Sequence, residues 1–470
     1  MAPMQGLRIN SSNLGLEPAD LLSVLGLEGS LLLDSSILER DLGGNKKVEG
    51  EKMAGPAGSP SAPSKGAQLK AGCPEKGPAI TLDQRGWCEG GSLLFSRPKR
   101  VLAVEHPDGI PPLFSALEDA LSEGLYVAGW LSYEAGYLMD EGLSGLLQRD
   151  LLQPIEGALY RQPLAWFGIY EAPMVLDPAS CKGPFGADAQ GVPPVDILLD
   201  FSISRSDFCR NIERIHDYIR SGDTYQVNYT IQGRFRSNMP ARQLYLALRG
   251  RQRVGYGAFI NCGRGLRILS FSPELFFIKA GGRLCSRPMK GTLPRGADPD
   301  EDARLLDMLA RDAKNRAENV MIVDLIRNDL GRIARTGSVR VPELFKVERY
   351  ETLIQMISLI EAELSGRPSW QEIFEALFPS GSITGAPKIR TMEIIQELEQ
   401  GPRGIYTGAI GYICPSGDGV FNVAIRTIEM RGEEGRLGVG AGITIGSEPE
   451  KELEETVLKA RFLTDRVRFR

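Results

Sequence analysis

Two charged residues in the C-terminal half of the sequence are candidates for chemistry. Glu274 lies in the stretch SFSPELFF, and Lys290 lies among small residues in CSRPMKGTLPRG. Burial raises the pKa of a carboxyl group, which can then act as a general acid, and lowers the pKa of a lysine, which can then act as a nucleophile. Taken singly, a strand-edge glutamate and a turn lysine are commoner, so neither residue alone decides a function.

Helical carboxylates form a second candidate group. Glu318, in AENVMIVDLIRNDLGRI, shares a helical face with apolar residues, and a carboxylate on such a face is costly unless a cation meets it. Near the C-terminus, Glu452, Glu455 and Lys459 recur at spacings of three and four, which more often marks a solvated stripe with one weak ion pair. If the fold brings these carboxylates together, they would suit Mg²⁺, which takes one or two carboxylates and leaves room for an anionic substrate.

Two glycine-containing motifs do not fit the nucleotide-binding patterns that they suggest. GVGAGITIG has Ile443 where a dinucleotide fingerprint needs glycine, and MKGT lacks the glycine spacing of a phosphate-binding loop. Backbone N–H groups around Gly440 and Gly442, before a helix expected to begin with a capping box at Ser447, can still bind an anion. We therefore expect a carboxylate site in this segment.

The composition excludes several functional classes. The 470-residue chain has a net charge of −5 and no long basic run, so we expect no nucleic-acid partner. No apolar run reaches the length of a membrane span and no signal peptide is evident, so we expect no membrane partner. Seven cysteines without C-x-x-C pairs indicate reduced thiols in a cytoplasmic protein, and two histidines are too few for most His-based metal sites.

The elements that must position these residues are predicted to form one globular body. Strand-like runs dominate the N-terminal part, residues 1–190, which is interrupted at 44–80 by a Gly-, Pro- and Ser-rich segment that we interpret as a low-complexity insertion. The region 191–470 alternates strand-like runs with helices, including a long helical stretch predicted over 302–335. This pattern favours a mixed body of strands and helices over a regular βαβ array.

Several motifs of the C-terminal region occur in an order that resembles the chorismate-utilising enzymes. The motifs are RPMKGTLPRG, AENVMIVDLIRNDLGRI, FPSGSITGAPK, YTGAIGY, NVAIRTI and GAGITIGSEPEKELEETVLKA. The resemblance is dense from about Ser204 to Arg470 and thin before it. It implies an α+β fold, in which the N-terminal part and the chorismate-binding catalytic region together form two packed antiparallel-rich β-sheets flanked by helices.

The lysine of RPMKGT resembles the aminodeoxychorismate synthase component I branch, because the anthranilate, isochorismate and salicylate synthases usually have alanine there. The resemblance implies that Lys290 attacks carbon 2 of chorismate while Glu274 protonates the hydroxyl leaving carbon 4. Ammonia then adds at carbon 4 and expels the lysine, giving 4-amino-4-deoxychorismate for 4-aminobenzoate and folate biosynthesis. The alternatives are anthranilate synthase component I, of tryptophan biosynthesis, and a non-catalytic chorismate-binding subunit.

The other matched positions imply binding roles. Glu318 and Glu455 resemble magnesium ligands, with Glu452 beside them. The residues implied to hold the carboxylates of chorismate or to line its pocket are Thr384, Tyr406, Arg426, Gly440, Gly442 and Lys459. Gln226 stands where water-activating relatives have a lysine base, which argues against water as the nucleophile.

Two positions depart from the family pattern. Many relatives have histidine where this chain has Gln355, so a contact to the substrate ring can differ here. The tryptophan-site motif N-P-S-P-Y is replaced by RVGYGAF, residues 253–259. This replacement puts the binding of free tryptophan in doubt.

Amination needs neutral ammonia, which relatives obtain from glutamine through a partner. None of the seven cysteines stands in the G-x-C-x-G-x-Q setting of a glutaminase nucleophile, and the chain closes directly after its last predicted helix. We therefore expect a heteromeric complex, permanent or transient, with a separate glutamine amidotransferase, and a separate lyase downstream.

Overall fold

The computed structural model describes residues 23–35, 87, 91–151, 163–176, 195–350 and 353–470. Within them the chain forms two large β-sheets with helices around them. The predicted insertion at 44–80 and the predicted boundary near residue 190 lie outside the described residues, so both stay predictions.

The strands follow one another along the whole described chain. They are β1 (Leu31–Asp34), β2 (Ser92–Phe95), β3 (Arg100–Val104), β4 (Tyr126–Leu131), β5 (Ala165–Tyr170), β6 (Met174–Leu176), β7 (Leu199–Phe201), β8 (Gln226–Arg236), β9 (Tyr256–Gly263), β10 (Leu266–Ser272), β11 (Leu275–Ala280), β12 (Arg283–Arg287), β13 (Met289–Pro294), β14 (Arg340–Arg349), β15 (Leu353–Glu363), β16 (Gly385–Ala386), β17 (Ala409–Ile413), β18 (Gly419–Val423), β19 (Thr427–Arg431), β20 (Glu434–Ile443) and β21 (Val467–Arg468).

The α-helices alternate with these strands. They are α1 (Ile110–Ser122), α2 (Ser144–Leu151), α3 (Arg205–Arg220), α4 (Ala241–Arg251), α5 (Pro299–Arg311), α6 (Ala313–Gly331), α7 (Trp370–Leu377), α8 (Lys388–Leu398) and α9 (Pro449–Ala460). Short 3₁₀ helices cover Pro107–Gly109, Tyr133–Leu138 and Gly381–Ile383.

Both sheets combine strands from the two ends of the chain. The 11-stranded sheet has the order β21-β7-β8-β20-β19-β10-β9-β1-β2-β6, with β16 paired to β8. The 10-stranded sheet has the order β13-β15-β12-β11-β18-β17-β4-β5-β3, with β14 paired to β15. Every pair is antiparallel except β21 with β7. The predicted α+β fold with two antiparallel-rich sheets is therefore confirmed.

Strand β1 shows how the two sheets pack. Leu31 and Leu33 lie in a buried cluster that also contains Phe95 of the 11-stranded sheet and Tyr170 of the 10-stranded sheet. The Phe95 and Tyr170 ring centroids are 5.1 Å apart. Leu32 points to the opposite face and joins the larger core that includes residues of the helices. Each such buried leucine stabilises the fold by about 1.5–3 kcal/mol.

Two predicted helix boundaries differ from the structure. The helical stretch predicted over 302–335 runs over Pro299–Gly331 and contains two helices, because Asp312 ends the first helix and caps the second by accepting the N–H of Asn315. The last helix begins at Pro449 with Glu448 as its N-cap, and the hydroxyl of Ser447 instead accepts the N–H of Thr444. The predicted capping box is therefore absent from this helix.

Candidate active site

Lys290 lies on strand β13 and not on the turn that its small neighbours suggested. It pairs with Met356 of β15, and the register shifts between Lys290 and Thr292. Gly291 between them has φ of +73°, and a Cβ there would lie 2.8 Å from the side chain of Asn315. Such a bulge needs glycine and re-aims the side chain beside it.

Charges of both signs surround the Lys290 ammonium. Burial is the largest influence and lowers its pKa. Glu318 raises the pKa, Lys459 lowers it, and Glu274 and Glu455 raise it, with a lowered pKa as the balance. The fold thus brings four other predicted site residues close to Lys290.

Glu274 lies in the short link between β10 and β11 rather than on a strand, and it is buried. The hydroxyl of Ser382 donates to Glu274 Oε1 at 2.7 Å. Burial raises the pKa of Glu274 to about 7, against the opposing effects of the Ser382 hydrogen bond and the Lys290 charge. Near neutral pH this carboxyl group can therefore both give and take a proton. Ser382 was missed as a site residue, although it lies within the motif FPSGSITGAPK.

Glu318 on helix α6 lies within electrostatic reach of Glu455 and Glu452 on helix α9. Burial raises the pKa of Glu318, Lys290 and Lys314 lower it, and the charges of Glu455 and Glu452 raise it, which leaves it raised. Lys314 Nζ lies 3.9 Å from Glu318 Oε1. Mg²⁺ takes as few as one or two carboxylates, and a cation beside these side chains would relieve their mutual repulsion.

Glu455 and Lys459 form an ion pair, with 2.8 Å between Glu455 Oε1 and Lys459 Nζ. Burial raises the pKa of Glu455, but Lys459, with help from Lys314 and Lys290, outweighs this effect and holds the pKa below its ordinary value. Lys459 Nζ also donates to the carbonyl oxygen of Gly440 at 2.8 Å. Glu452 of this stripe is buried, whereas Glu455 is exposed and Lys459 is half-buried, so the functional role of the stripe stays a prediction.

Gly440 and Gly442 lie within strand β20, which pairs with β8. A Cβ on Gly442 would lie 2.9 Å from Nε2 of Gln226 and 3.5 Å from Nζ of Lys290. The absence of a side chain at Gly442 therefore leaves room beside the lysine.

Gln226 on β8 is an unpaired polar group at this place. It is 1% exposed, and neither of its amide atoms has a hydrogen-bond partner among the described residues. Thr230 shares this face of β8, because alternate residues of a strand do, and its buried hydroxyl is also without a partner in that part of the chain. Leaving such a group unpaired costs about 1–3 kcal/mol, so these groups are suited to bind a polar ligand.

Arg426 is a half-buried cation with a buried guanidinium nitrogen, and no anion of the described residues bonds to that nitrogen. Its backbone φ is +49°, and burial lowers the pKa of its guanidinium. Its Nη1 atom is buried and has no hydrogen-bond partner within the described residues. A carboxylate offers the oxygen pair that a guanidinium binds best.

Thr384 and Tyr406 are buried beside β8 and β20. The Thr384 hydroxyl donates to the carbonyl of Ser380 at 3.1 Å, and the Thr384 carbonyl accepts the N–H of Asn228 at 2.7 Å. A Cβ on Gly438 of β20 would lie 2.3 Å from the Tyr406 ring, so this glycine makes room for the tyrosine.

Three further observations bound the site. Gln355 is buried on β15, opposite Thr292. No group of three or more His, Cys, Asp or Glu side chains in the described ranges is arranged to hold a metal ion. The helices of the described residues include none with the length and apolar character needed to cross a membrane.

The fold and this cluster of charges define a class of protein. A family model described as "chorismate binding enzyme" matches residues 103–465. The chain therefore belongs to the chorismate-binding enzymes, and the resemblance seen in its sequence is confirmed.

Relatives within this class point to particular activities. The chain is 44% identical over 268 residues to aminodeoxychorismate synthase of Streptomyces griseus, a match covering 57% of this chain and 36% of that protein. It is 43% identical over 253 residues to aminodeoxychorismate synthase component 1 of Bacillus subtilis, covering 54% of each. It is 39% identical over 368 residues to anthranilate synthase component 1 of Haloarcula marismortui, covering 72% and 75%. The matched part thus spans 36% and 54% of the length of the two aminodeoxychorismate synthases.

A solved structure supports the fold. Anthranilate synthase component I of Streptococcus pneumoniae superposes with a TM-score of 0.63 over 98% of this chain and 100% of that chain, at 23% identity. At this identity the likeness establishes the architecture alone.

Proposed function

We propose that this chain aminates carbon 4 of chorismate and so forms 4-amino-4-deoxychorismate, with the enolpyruvyl group retained. The observation that carries the proposal is Lys290, whose pKa is lowered by burial and which lies among the charges of Glu318, Lys459, Glu274 and Glu455. A lysine with a lowered pKa has a larger neutral fraction at neutral pH, and the neutral amine is a nucleophile. The names of the aminodeoxychorismate synthase relatives support the same reaction.

The proposed reaction consists of two successive substitutions, and its protons balance over the full cycle. The neutral amine of Lys290 forms a bond to carbon 2, both double bonds of the ring shift by one position, and the carbon 4 hydroxyl leaves as water with a proton from Glu274. Ammonia then bonds to carbon 4, both double bonds shift back, and the lysine amine leaves carbon 2 with the electron pair of its bond. The added ammonia gives a proton to the Glu274 carboxylate, which restores the acid for the next cycle. The sum is chorismate plus ammonia to 4-amino-4-deoxychorismate plus water.

Binding of the substrate dianion is assigned to the cations around this centre. Arg426, whose buried Nη1 has no hydrogen-bond partner in the described part of the chain, and Lys459 bind the carboxylates. Thr384, Tyr406 and the glycines of β20 shape the pocket. Gln226 supplies an amide to the substrate in place of a base for water. Glu318 and Glu455, with Glu452 beside them, would hold Mg²⁺, which supplies positive charge to a neighbouring substrate carboxylate.

We also propose that the ammonia comes from a separate glutamine amidotransferase, in a complex that is permanent or transient. The word "component" in the names of relatives supports a multi-subunit enzyme. The free thiols among the described cysteines fit our assignment to the cytoplasm, on the route to 4-aminobenzoate.

Anthranilate synthase is the second candidate activity. It is favoured by the Haloarcula relative, whose match covers more of this chain than the matches to the aminodeoxychorismate synthases do. The two activities differ in their products, because anthranilate formation eliminates pyruvate and amination of carbon 4 does not.

Product analysis tests the proposal. The purified chain is incubated with chorismate, Mg²⁺ and ammonium at several pH values, and pyruvate and the amino product are measured. We expect an amino product that retains the enolpyruvyl group, formed from ammonium salts but not from glutamine, and formed faster as more NH₃ is freed at higher pH. Pyruvate released in step with amination, without added lyase, would establish the anthranilate reaction instead.

A further inference from the structure

Glu134 is a buried carboxyl group that has no part in the proposed reaction. It lies on the 3₁₀ helix Tyr133–Leu138 of the N-terminal part. Its Oε1 accepts the N–H of Arg403 at 2.7 Å, and its Oε2 accepts the N–H of Gly404 at 3.0 Å. A buried carboxylate is costly unless it is hydrogen-bonded, and here two consecutive backbone N–H groups supply the bonds. Glu134 therefore fixes the backbone at the start of the segment 402–407.

The segment 402–407, here called the Tyr406 loop, links α8 to β17 and carries Tyr406, one of the pocket candidates. A second carboxylate holds the same loop, because Glu429 of β19 accepts the N–H of Ile405 at 2.9 Å. Arg436 of β20 in turn donates to Glu429 Oε1 at 2.9 Å. The three backbone N–H groups that precede Tyr406 are therefore all bonded to carboxylates.

The Tyr406 loop is also bonded to the segment that carries Arg426. The N–H of Thr407 donates to the carbonyl of Ala424 at 2.9 Å, and the N–H of Ala424 donates to the carbonyl of Gly408 at 2.9 Å. Arg426 follows two residues later, in the link between β18 and β19. Thr407 has φ of +62° and Arg426 has φ of +49°, a backbone region that a residue with a side chain adopts only where its surroundings impose it. A shift of the loop would therefore move Arg426 as well.

The hold of Glu134 on the loop depends on its charge. The titratable residues around it are Arg403, Arg436, Glu429, Tyr133 and Tyr137. Burial is the largest influence and raises the pKa of Glu134 to about 7. Its own N–H, the charge of Arg436 and the N–H of Arg403 oppose burial, whereas Glu429 adds to it. A protonated carboxyl group directs an O–H toward one of the two N–H groups, so it holds the loop less well than the carboxylate does.

We propose that Glu134 is a positioning residue for chorismate: its carboxylate holds the Tyr406 loop, and through that loop it places Tyr406 and Arg426 against the substrate. Glu134 acts through these two residues and not through a contact of its own. The inference rests on the binding roles proposed above for Tyr406 and Arg426. It gives the N-terminal part a share in the affinity for the substrate, which the motifs of the C-terminal region do not indicate.

The test compares KM for chorismate in the intact full-length chain, in Glu134→Gln and in the matched control Asp34→Asn. Asp34 is also a buried carboxylate, but its donors Ser92, Tyr245 and Arg249 lie outside the Tyr406 loop. Glu134→Gln replaces one acceptor oxygen by an amide that donates. We expect this variant to raise KM about fivefold or more with little change in kcat, because a charged hydrogen bond is lost. Asp34→Asn should lower the melting temperature and leave KM unchanged.

The pH dependence of KM is the second measurement. In the intact chain KM should rise as the pH falls through 7, because Glu134 becomes protonated, and Glu134→Gln should have a high KM without this rise. Protonation of Lys290 acts in the opposite direction, since it adds positive charge for a dianion. Glu274→Gln removes the other site carboxyl group whose pKa is about 7, so a rise that persists in this variant is assigned to Glu134. This profile decides the matter if Glu134→Gln does not fold.

Three results would overturn the inference. They are a normal KM in folded Glu134→Gln, an equal rise of KM in Asp34→Asn, and a KM in Glu274→Gln that does not rise as the pH falls below 7. KM is measured from whichever product forms. Pyruvate in place of the amino product would therefore refute the proposed function and leave this comparison intact.

Discussion

Arg403 and Arg426 both have buried guanidinium atoms, but they differ in the hydrogen bonds that those atoms make. Arg403 is 1% exposed, and its guanidinium bonds to Glu399 and to the carbonyls of Ile383 and Asn228 at 2.9 and 2.7 Å. Burial lowers the pKa of Arg403, but Glu399, then Tyr133, outweigh burial and leave the pKa raised. Arg426 has no such compensation, since burial alone acts on its pKa, which is lowered.

This contrast distinguishes polar residues that stabilise the fold, here called the scaffold, from polar residues that can bind a ligand, here called the site. Polar groups buried in a folded protein are nearly always paired. A paired group therefore contributes to stability, and an unpaired group indicates a place where a ligand binds. The same contrast holds between Trp87, whose polar groups are all bonded, and Gln226, whose amide has no partner in the described chain. Substitutions in the two classes should therefore change different measurements.

The largest effect on the rate of amination is expected from substitution of Lys290, one of two lysines whose pKa is lowered by burial. Lys290→Ala should reduce amination by roughly 10²-fold or more, because it removes a covalent step. Lys279 is the matched control, since burial also lowers its pKa, but its ammonium bonds to the carbonyl of Gly417 at 2.6 Å. Lys279→Ala should change the melting temperature more than the rate. Near-normal amination by Lys290→Ala would contradict the covalent role.

The general acid is expected to have the next largest effect. The pKa of Glu274 is about 7, so its protonated fraction falls as pH rises through 7. At a fixed concentration of NH₃, kcat should therefore fall above pH 7, and Glu274→Gln should lose roughly 10²-fold in kcat together with this pH dependence. The pH profiles of both forms provide the measurement. An unchanged alkaline limb in Glu274→Gln would assign the acid to another group.

Substitution of each arginine tests this comparison directly. Arg403→Met leaves Glu399 buried without its partner and should lower the free energy of unfolding by about 3–5 kcal/mol. Arg426→Met should leave that free energy nearly unchanged and raise KM for chorismate by about tenfold or more, because a charged hydrogen bond is lost. Urea unfolding and steady-state kinetics on both variants are the measurements. The reverse assignment of effects would refute the division into scaffold and site.

The smallest effect on the rate is expected for substitution of the metal-binding candidate Glu318, measured at saturating Mg²⁺. Glu318→Gln should raise the Mg²⁺ concentration needed for half-maximal amination and should change the rate at high Mg²⁺ least of all. Asp324→Asn on the same helix is the control, because Asp324 is exposed and paired with Arg327. Activity measured against Mg²⁺ concentration distinguishes the two. An equal shift in both variants would point to general electrostatics.

The sequence predicted the α+β class. The spacing of apolar residues also predicted the helix that follows Ser204, with its C-terminal end close to the observed one. Phe208, Ile212, Ile215 and Ile219 recur at helical spacing, and the structure has a helix over Arg205–Arg220. Boundaries set by caps were harder, because Asp312 can continue or interrupt a helix and only its bond to a backbone N–H decides.

The residues of the candidate site could be predicted from the sequence, but their hydrogen-bond and strand-pairing partners could not. Lys290 and Glu274 were found through motifs, whereas the strand pairing that carries Lys290 depends on the distant strand β15. Ser382 was missed because a serine in a glycine-rich motif has no charge pattern to mark it. That Arg403 is paired and Arg426 is not depends on tertiary contacts, which no local pattern encodes.

The central claim, that Lys290 is the nucleophile, is tested most directly by peptide mass spectrometry. The intact chain is mixed with chorismate and Mg²⁺ without ammonia, quenched and digested. We predict that the peptide containing Lys290 gains the mass of chorismate less one water, and that added ammonium removes the modification. An unmodified Lys290 in a preparation that aminates at its full rate, or the same adduct on another residue, would contradict the account.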